Sequence, residues 1–210
     1  MTFRSIKEEY IKGLLETNAF LIKSIHDTPF TLRSGRKSYL FLDHSRVATS
    51  PKAYTAFINA VKYKILEVYG ENDFLLCNVD SKISAQMVGS LAYILEKPQI
   101  VYKSKELTTV EKGTQNQLTG NLQWNLRASL VDDVMTGGDG TAKNVAELIQ
   151  STFHNIKDIQ IFVGFTREVK KSTYKTHYVL TRDELIDIVW NKLSKEQQLA
   201  VEKERSSNDI

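Results

Sequence analysis

The sequence predicts an α/β domain with a mostly parallel central sheet flanked by helices, and three observations predict it. From residue 73 onward, short apolar runs alternate with helical patterns, the rhythm that strand–helix–strand crossovers impose. One of those runs, Leu130-Val131, passes directly into two acids, a glycine-rich turn and another helical pattern. Ligands of open parallel sheets bind beyond strand ends of this kind. Finally, 41% hydrophobic and 25% charged residues over 210 positions are enough for a single sizeable core, so one domain is expected.

The elements follow in order. Ile6, Tyr10, Ile11, Leu14 and Leu15 recur at helical spacing and predict an opening amphipathic helix that ends before Phe20. In the stretch 30–43, Thr31, Tyr39 and Phe41 lie around Ser34-Gly35-Arg36, which suggests two extended pieces joined by a polar turn. Pro51 suits the first turn of a second helix, whose stripe Ala53, Phe57, Ala60, Val61, Ile65 and Val68 stops at Gly70. Then come a strand over 74–79, a helix near 84–95, and strands over 100–102 and 129–131. A helix over 141–152, strands over 159–165 and 178–180, and a helix from Asp183 complete the alternation. Residues 103–126 break it with Lys103, Lys105, Lys112, Gly113 and Gly120. A segment of that size in a compact domain is usually a functional lid or a mobile loop. After Ser194 the chain turns charged and is expected to fray as a polar tail.

Bulk properties exclude several classes of function. A net charge of +3, with basic residues spread along the chain, argues against a nucleic-acid surface but suits a small polyanionic ligand. The single cysteine, Cys77, lies in an apolar run and cannot form an intrachain disulfide. The first ten residues lack the apolar stretch of a signal peptide, and no run approaches the length of a membrane span. A cytoplasmic protein that contacts neither membrane nor nucleic acid is expected.

The chemistry concentrates in Ser129-Leu130-Val131-Asp132-Asp133-Val134-Met135-Thr136-Gly137-Gly138-Asp139-Gly140-Thr141. Glycines let backbone N–H groups close around a phosphate, Thr136 and Thr141 can add hydroxyl donors, and the following helix contributes its dipole. Two carboxylates beside such a cradle repel the anion unless they contact hydroxyls or a cation, so ribose hydroxyls and Mg2+ are their natural targets. The alternatives are an ordinary connection in which the acids cap the helix, and a dinucleotide site. The latter needs a G-x-G-x-x-G spacing that Gly137, Gly138 and Gly140 do not provide. By composition alone, Arg167-Glu168 reads as a solvated pair, Arg36 and Lys37 as surface charge, and Phe41 as core.

Residues 131–141 resemble the 5-phosphoribosyl pyrophosphate (PRPP) motif of the type I phosphoribosyltransferases. Phe30-Thr31-Leu32-Arg33-Ser34-Gly35-Arg36-Lys37-Ser38, continued by Phe41, resembles the N-terminal segment of the bacterial orotate phosphoribosyltransferases. Gly164-Phe165-Thr166-Arg167-Glu168 is similar to the strand end that presents an arginine to orotate in that family, and residues 178–185 are similar to its last strand and helix.

The resemblance implies a single type I phosphoribosyltransferase domain over 1–210, with a hood-like segment at 1–50, a core at 51–193 and a polar tail at 194–210. It implies Mg2+-dependent transfer of phosphoribosyl from PRPP to orotate by a homodimer, giving orotidine monophosphate and pyrophosphate in de novo pyrimidine (UMP) biosynthesis. Asp132, Asp133 and Lys105 would be catalytic. Arg33, Lys82, Lys103, Thr136, Gly137, Gly138, Gly140 and Thr141 would hold PRPP, Phe41 and Arg167 would receive orotate, and PRPP itself would hold most of the metal.

Three features depart from the family pattern. Asn78-Val79-Asp80-Ser81-Lys82-Ile83 keeps the lysine of the pyrophosphate loop but neither of its glycines, residues 103–126 contain no histidine, and Asp139 is an extra acid in the phosphate loop. A phosphoribosyltransferase for another base, and a non-catalytic PRPP- or nucleotide-binding regulator, therefore remain open.

Overall fold

The computed structural model describes residues 2–32, 35–103, 118–119, 127–136, 140–169 and 172–206. Helix α1 (Phe3–Glu16) starts where the Thr2 side chain accepts the Ser5 N–H, and it buries Ile6, Tyr10, Ile11 and Leu14, as the spacing predicts. Four short strands follow: β1 (Phe20–Ile22), β2 (Phe30–Thr31), β3 (Lys37–Ser38) and β4 (Leu40–Leu42). β2 pairs with β3 across the expected polar turn, and β1 pairs antiparallel with β4. One turn of helix, α2 (His44–Val47), leads to α3 (Pro51–Tyr69). Ser50 caps α3, Pro51 stands in its first turn, and Gly70 ends it at φ 60°. Helices α1 and α3 approach closely at Gly13, where an added Cβ would lie 3.0 Å from that of Ala53.

The six-stranded sheet comprises β5 (Phe74–Asn78), β6 (Gln99–Tyr102), β7 (Leu118–Thr119), β8 (Arg127–Met135), β9 (Ile159–Thr166) and β10 (Lys175–Thr181). Their order is β10-β9-β8-β5-β6-β7, and every pairing is parallel except that of β6 with β7. Helix α4 (Lys82–Leu95) joins β5 to β6, α5 (Gly140–Thr152) joins β8 to β9, and α6 (Arg182–Val189) and α7 (Lys195–Ser206) close the chain. Alternation along the strands divides the core. Val131 and Phe162 face α1, α3 and α4, whereas Leu130, Ile161 and Val163 pack on Val145, Ala146 and Ile149 of α5. Helices thus cover both faces, as expected of a mostly parallel sheet.

Two expectations are corrected. Strand β8 does not end at the acids but runs on to Met135, because Asp132, Val134 and Met135 continue the ladder with Val163, Phe165 and Thr166 of β9. Nor is the segment after Ser194 a fraying tail. It forms α7, which buries Ala200 and Val201 and donates from Gln197 Nε2 to the Ile22 carbonyl at 2.8 Å. Polar bonds share in its anchorage, Glu204 accepting from Tyr39 N at 2.7 Å, and a hydrophobic pattern does not register them. Of the expected loop over 103–126, only Lys103 and β7 are among the described residues. No described helix is long and apolar enough to cross a membrane.

Candidate active site

The carboxyl ends of β4, β5 and β8 and the first turns of α2 and α5 surround a cavity of about 530 Å³. Phe41, Asp43 and His44 form one wall, Asp80 and Ser81 a second, and Asp132 to Thr136 with Gly140 and Thr141 a third, while Arg167 closes the end of β9. Seven of the expected site residues therefore meet around one space: Phe41, Asp132, Asp133, Thr136, Gly140, Thr141 and Arg167. Lys82 is exposed on the first turn of α4 and Lys103 half-buried at the end of β6, and neither lines the cavity. Arg33, Lys105, Gly137 and Gly138, like Asp139 and Lys112, lie outside the described residues.

Both carboxylate oxygens of Asp133 are engaged. Its Oδ1 accepts from Ser81 Oγ at 2.9 Å, its Oδ2 lies 3.5 Å from His44 Nδ1, and its backbone N–H donates to Asp132 Oδ1 at 2.9 Å. Burial alone pushes its carboxyl up, but the His44 imidazole, the Ser81 hydroxyl and Asp132 outweigh this and hold it below the ordinary value. Ser81 is placed by its second role as the cap of α4, accepting from Ser84 N at 2.8 Å. His44 is only 1% exposed, stacks on Phe57 at 4.4 Å between ring centroids, and shares a 2.6 Å hydrogen bond with the Tyr10 hydroxyl.

Arg167 is 7% exposed and donates to Ser38 Oγ at 2.8 Å and to the Leu40 carbonyl. Glu204 Oε1 of α7 lies 3.6 Å away. Burial pushes the guanidinium pKa down to about 10 against the opposing pull of Glu204, so the group is still charged at neutral pH. Its neighbour Glu168 binds Arg36 at 2.8 Å, which ties the β2–β3 turn to the end of β9. Cys77, in contrast, is inert: it is buried, and burial pushes its thiol up to about 12.

No family model matches the chain. It is 28% identical over 193 residues to an orotate phosphoribosyltransferase of Listeria innocua, covering 90% of this chain and 88% of that one. It superposes on the structure of Leishmania donovani UMP synthase with a TM-score of 0.71 at 17% identity. The match takes in 93% of this chain and 41% of that protein, so the chain spans about two-fifths of its length. Superposition on the orotate phosphoribosyltransferase of Aeropyrum pernix gives a TM-score of 0.62 at 22% identity, over 86% of this chain and 97% of the other. The fold is that of a type I phosphoribosyltransferase.

Within this fold the acid pair, the first turn of α5 and Arg167 line the same cavity. Sequence reasoning missed four residues that support them. Tyr10 was legible only as one member of a core stripe, and His44 followed a short strand with no local anomaly. Ser81 carried the weak signal of a cap before a helix, and Glu204 sat in what looked like a solvated tail.

A fifth support is Gly164 in β9. A Cβ there would press on Phe57, 2.8 Å from Cζ, and lie 3.0 Å from the Asp133 carbonyl. Gly164→Ala is expected to lower stability by about 1–3 kcal/mol through overpacking, read from the denaturant midpoint.

Proposed function

We propose that the chain is an orotate phosphoribosyltransferase, moving 5-phosphoribosyl from PRPP to a ring nitrogen of orotate in the cytoplasmic synthesis of UMP. The observation that carries the reading is the meeting of Asp132, Asp133, Thr136, Thr141, Phe41 and Arg167 around one cavity, although they come from three separate parts of the chain. The N-terminus of α5 and the hydroxyls of Thr136 and Thr141 suit the 5-phosphate. Asp132 and Asp133 suit the ribose hydroxyls, which can donate to carboxylates where a phosphate cannot. Phe41 and the Arg167 cation suit a planar, acidic base.

Bond breaking at the anomeric carbon runs ahead of bond making, so the sugar passes through an oxocarbenium-like state, as in glycoside hydrolysis. The protein's share is positioning, carboxylate charge beneath the sugar, and exclusion of water that would trap it. Among the described residues, no group of three or more His, Cys, Asp or Glu forms a metal cluster. Asp80 and Asp132 on the cavity wall would hold an Mg2+ that enters with PRPP, and the metal would supply positive charge for the pyrophosphate. Lys82, Lys103 and Lys105 would add positive charge for PRPP, Arg33, Gly137 and Gly138 would complete its site, and two chains would form the working dimer.

Purified protein with PRPP, Mg2+ and orotate is expected to consume orotate, followed by loss of its ultraviolet absorbance, and chelation of the metal should stop the reaction. One competing reading has a specific support: the turn at 78–83 has side chains where glycines would let backbone approach pyrophosphate. PRPP binding in calorimetry without turnover on orotate or a panel of other bases would establish that reading, a binding module, instead.

A further inference from the structure

Three side chains form a line from the core to the cavity, and no step above uses two of them. Tyr10 in α1 is fully buried and binds His44 Nε2 at 2.6 Å, while His44 turns its Nδ1 toward Asp133 Oδ2 at 3.5 Å. Phe57 fixes the plane of the line, stacking on His44 at 4.4 Å and on Tyr10 at 5.0 Å.

One proton arrangement satisfies the whole line. Burial, reinforced by the charge of Asp133, pushes the Tyr10 hydroxyl well above its ordinary range, so it stays an O–H donor. If that O–H donates to Nε2, the remaining imidazole proton resides on Nδ1 and points at the carboxylate. The opposite tautomer sets an Nδ1 lone pair against a carboxylate oxygen in a buried site. It also leaves the Tyr10 proton with no acceptor among the described hydrogen bonds. Nδ1 has no hydrogen bond of ordinary length among the described residues, so its link to Asp133 is the 3.5 Å electrostatic contact.

We propose that His44 is the positioning residue of Asp133, held by Tyr10 in the tautomer that donates from Nδ1. With Ser81 on Oδ1 and His44 on Oδ2, the carboxylate on the cavity wall is oriented before any ligand arrives. The consequence for catalysis rests on the phosphoribosyl-transfer reading, whereas the tautomer does not.

Nitrogen-15 spectra of the labelled protein, with His44 assigned against His44→Asn, are expected to show Nδ1 protonated and Nε2 bare. A protonated Nε2, alone or together with Nδ1, overturns the proposal. Kinetics supply the second arm. An asparagine amide falls near the old Nδ1 and keeps a donor for Asp133, while a glutamine amide falls near Nε2 and keeps only the Tyr10 contact. His44→Gln is therefore expected to lower kcat/KM for PRPP by about 10–100-fold and His44→Asn by no more than about threefold, with KM for orotate unchanged in both. Equal impairment of two variants with matching thermal midpoints, or wild-type behaviour of both, overturns the positioning role. A wild-type protein without transferase activity would defeat the proposed function and leave the spectroscopic test standing.

Discussion

Asp132→Asn combined with Asp133→Asn is expected to lower kcat by about 10³-fold or more while the domain stays folded. The substitutions preserve volume and remove two negative charges from the wall of the cavity, where a cationic sugar would need them. Asp133→Asn alone should be the more damaging single change. Its Oδ1 can still accept from Ser81, but its amide then confronts the imidazole edge that now faces a carboxylate. Circular dichroism and the turnover assay together check the claim, and activity within tenfold of wild type would refute the assigned role.

The same residue has a pH signature. Its carboxyl is held below the ordinary 3.8, so it contributes stability above that pH and the contribution disappears as pH falls through the lower folded value. Urea unfolding between about pH 5 and about pH 2 should therefore show a flatter acid slope in Asp133→Asn than in wild type.

The acid pair was legible because it breaks a local rule: charges at the end of an otherwise apolar buried strand, next to clustered glycines, conflict with simple burial. The strand–helix alternation was legible for the opposite reason, since period and punctuation agree, with Pro51 opening α3 and Gly70 ending it. The line Tyr10–His44–Asp133 could not be read in this way. Its members lie on three elements, and each looks ordinary among its own neighbours until the fold brings them together. Strand β8 likewise outran its apolar run because β9 supplied a pairing partner beyond the acids.

Helix α7 shows how a polar segment can stabilise the site, and Glu204→Ala is expected to lower stability by about 3–5 kcal/mol. The Glu204 carboxylate accepts from Ser38 Oγ at 2.8 Å and from Tyr39 N at 2.7 Å, and it faces the Arg167 guanidinium. The Arg167 and Glu204 side chains are only 7% and 11% exposed, so removing the acid leaves a buried cation near the like charges of Arg182 and Arg36, with Glu168 as its remaining acidic neighbour. A solvated pair would behave differently, with a loss below about 1 kcal/mol, and that outcome would mean the contact is idle. Arg167→Met added to Glu204→Ala should recover part of the loss, because the unpaired charge is then gone; a strictly additive double variant would contradict the pairing. In the transferase assay, Glu204→Ala should raise KM for orotate more than KM for PRPP. Glu204 contacts Arg167 and the β3–β4 segment, whereas it is not among the residues that line the cavity with the acid pair and the α5 terminus.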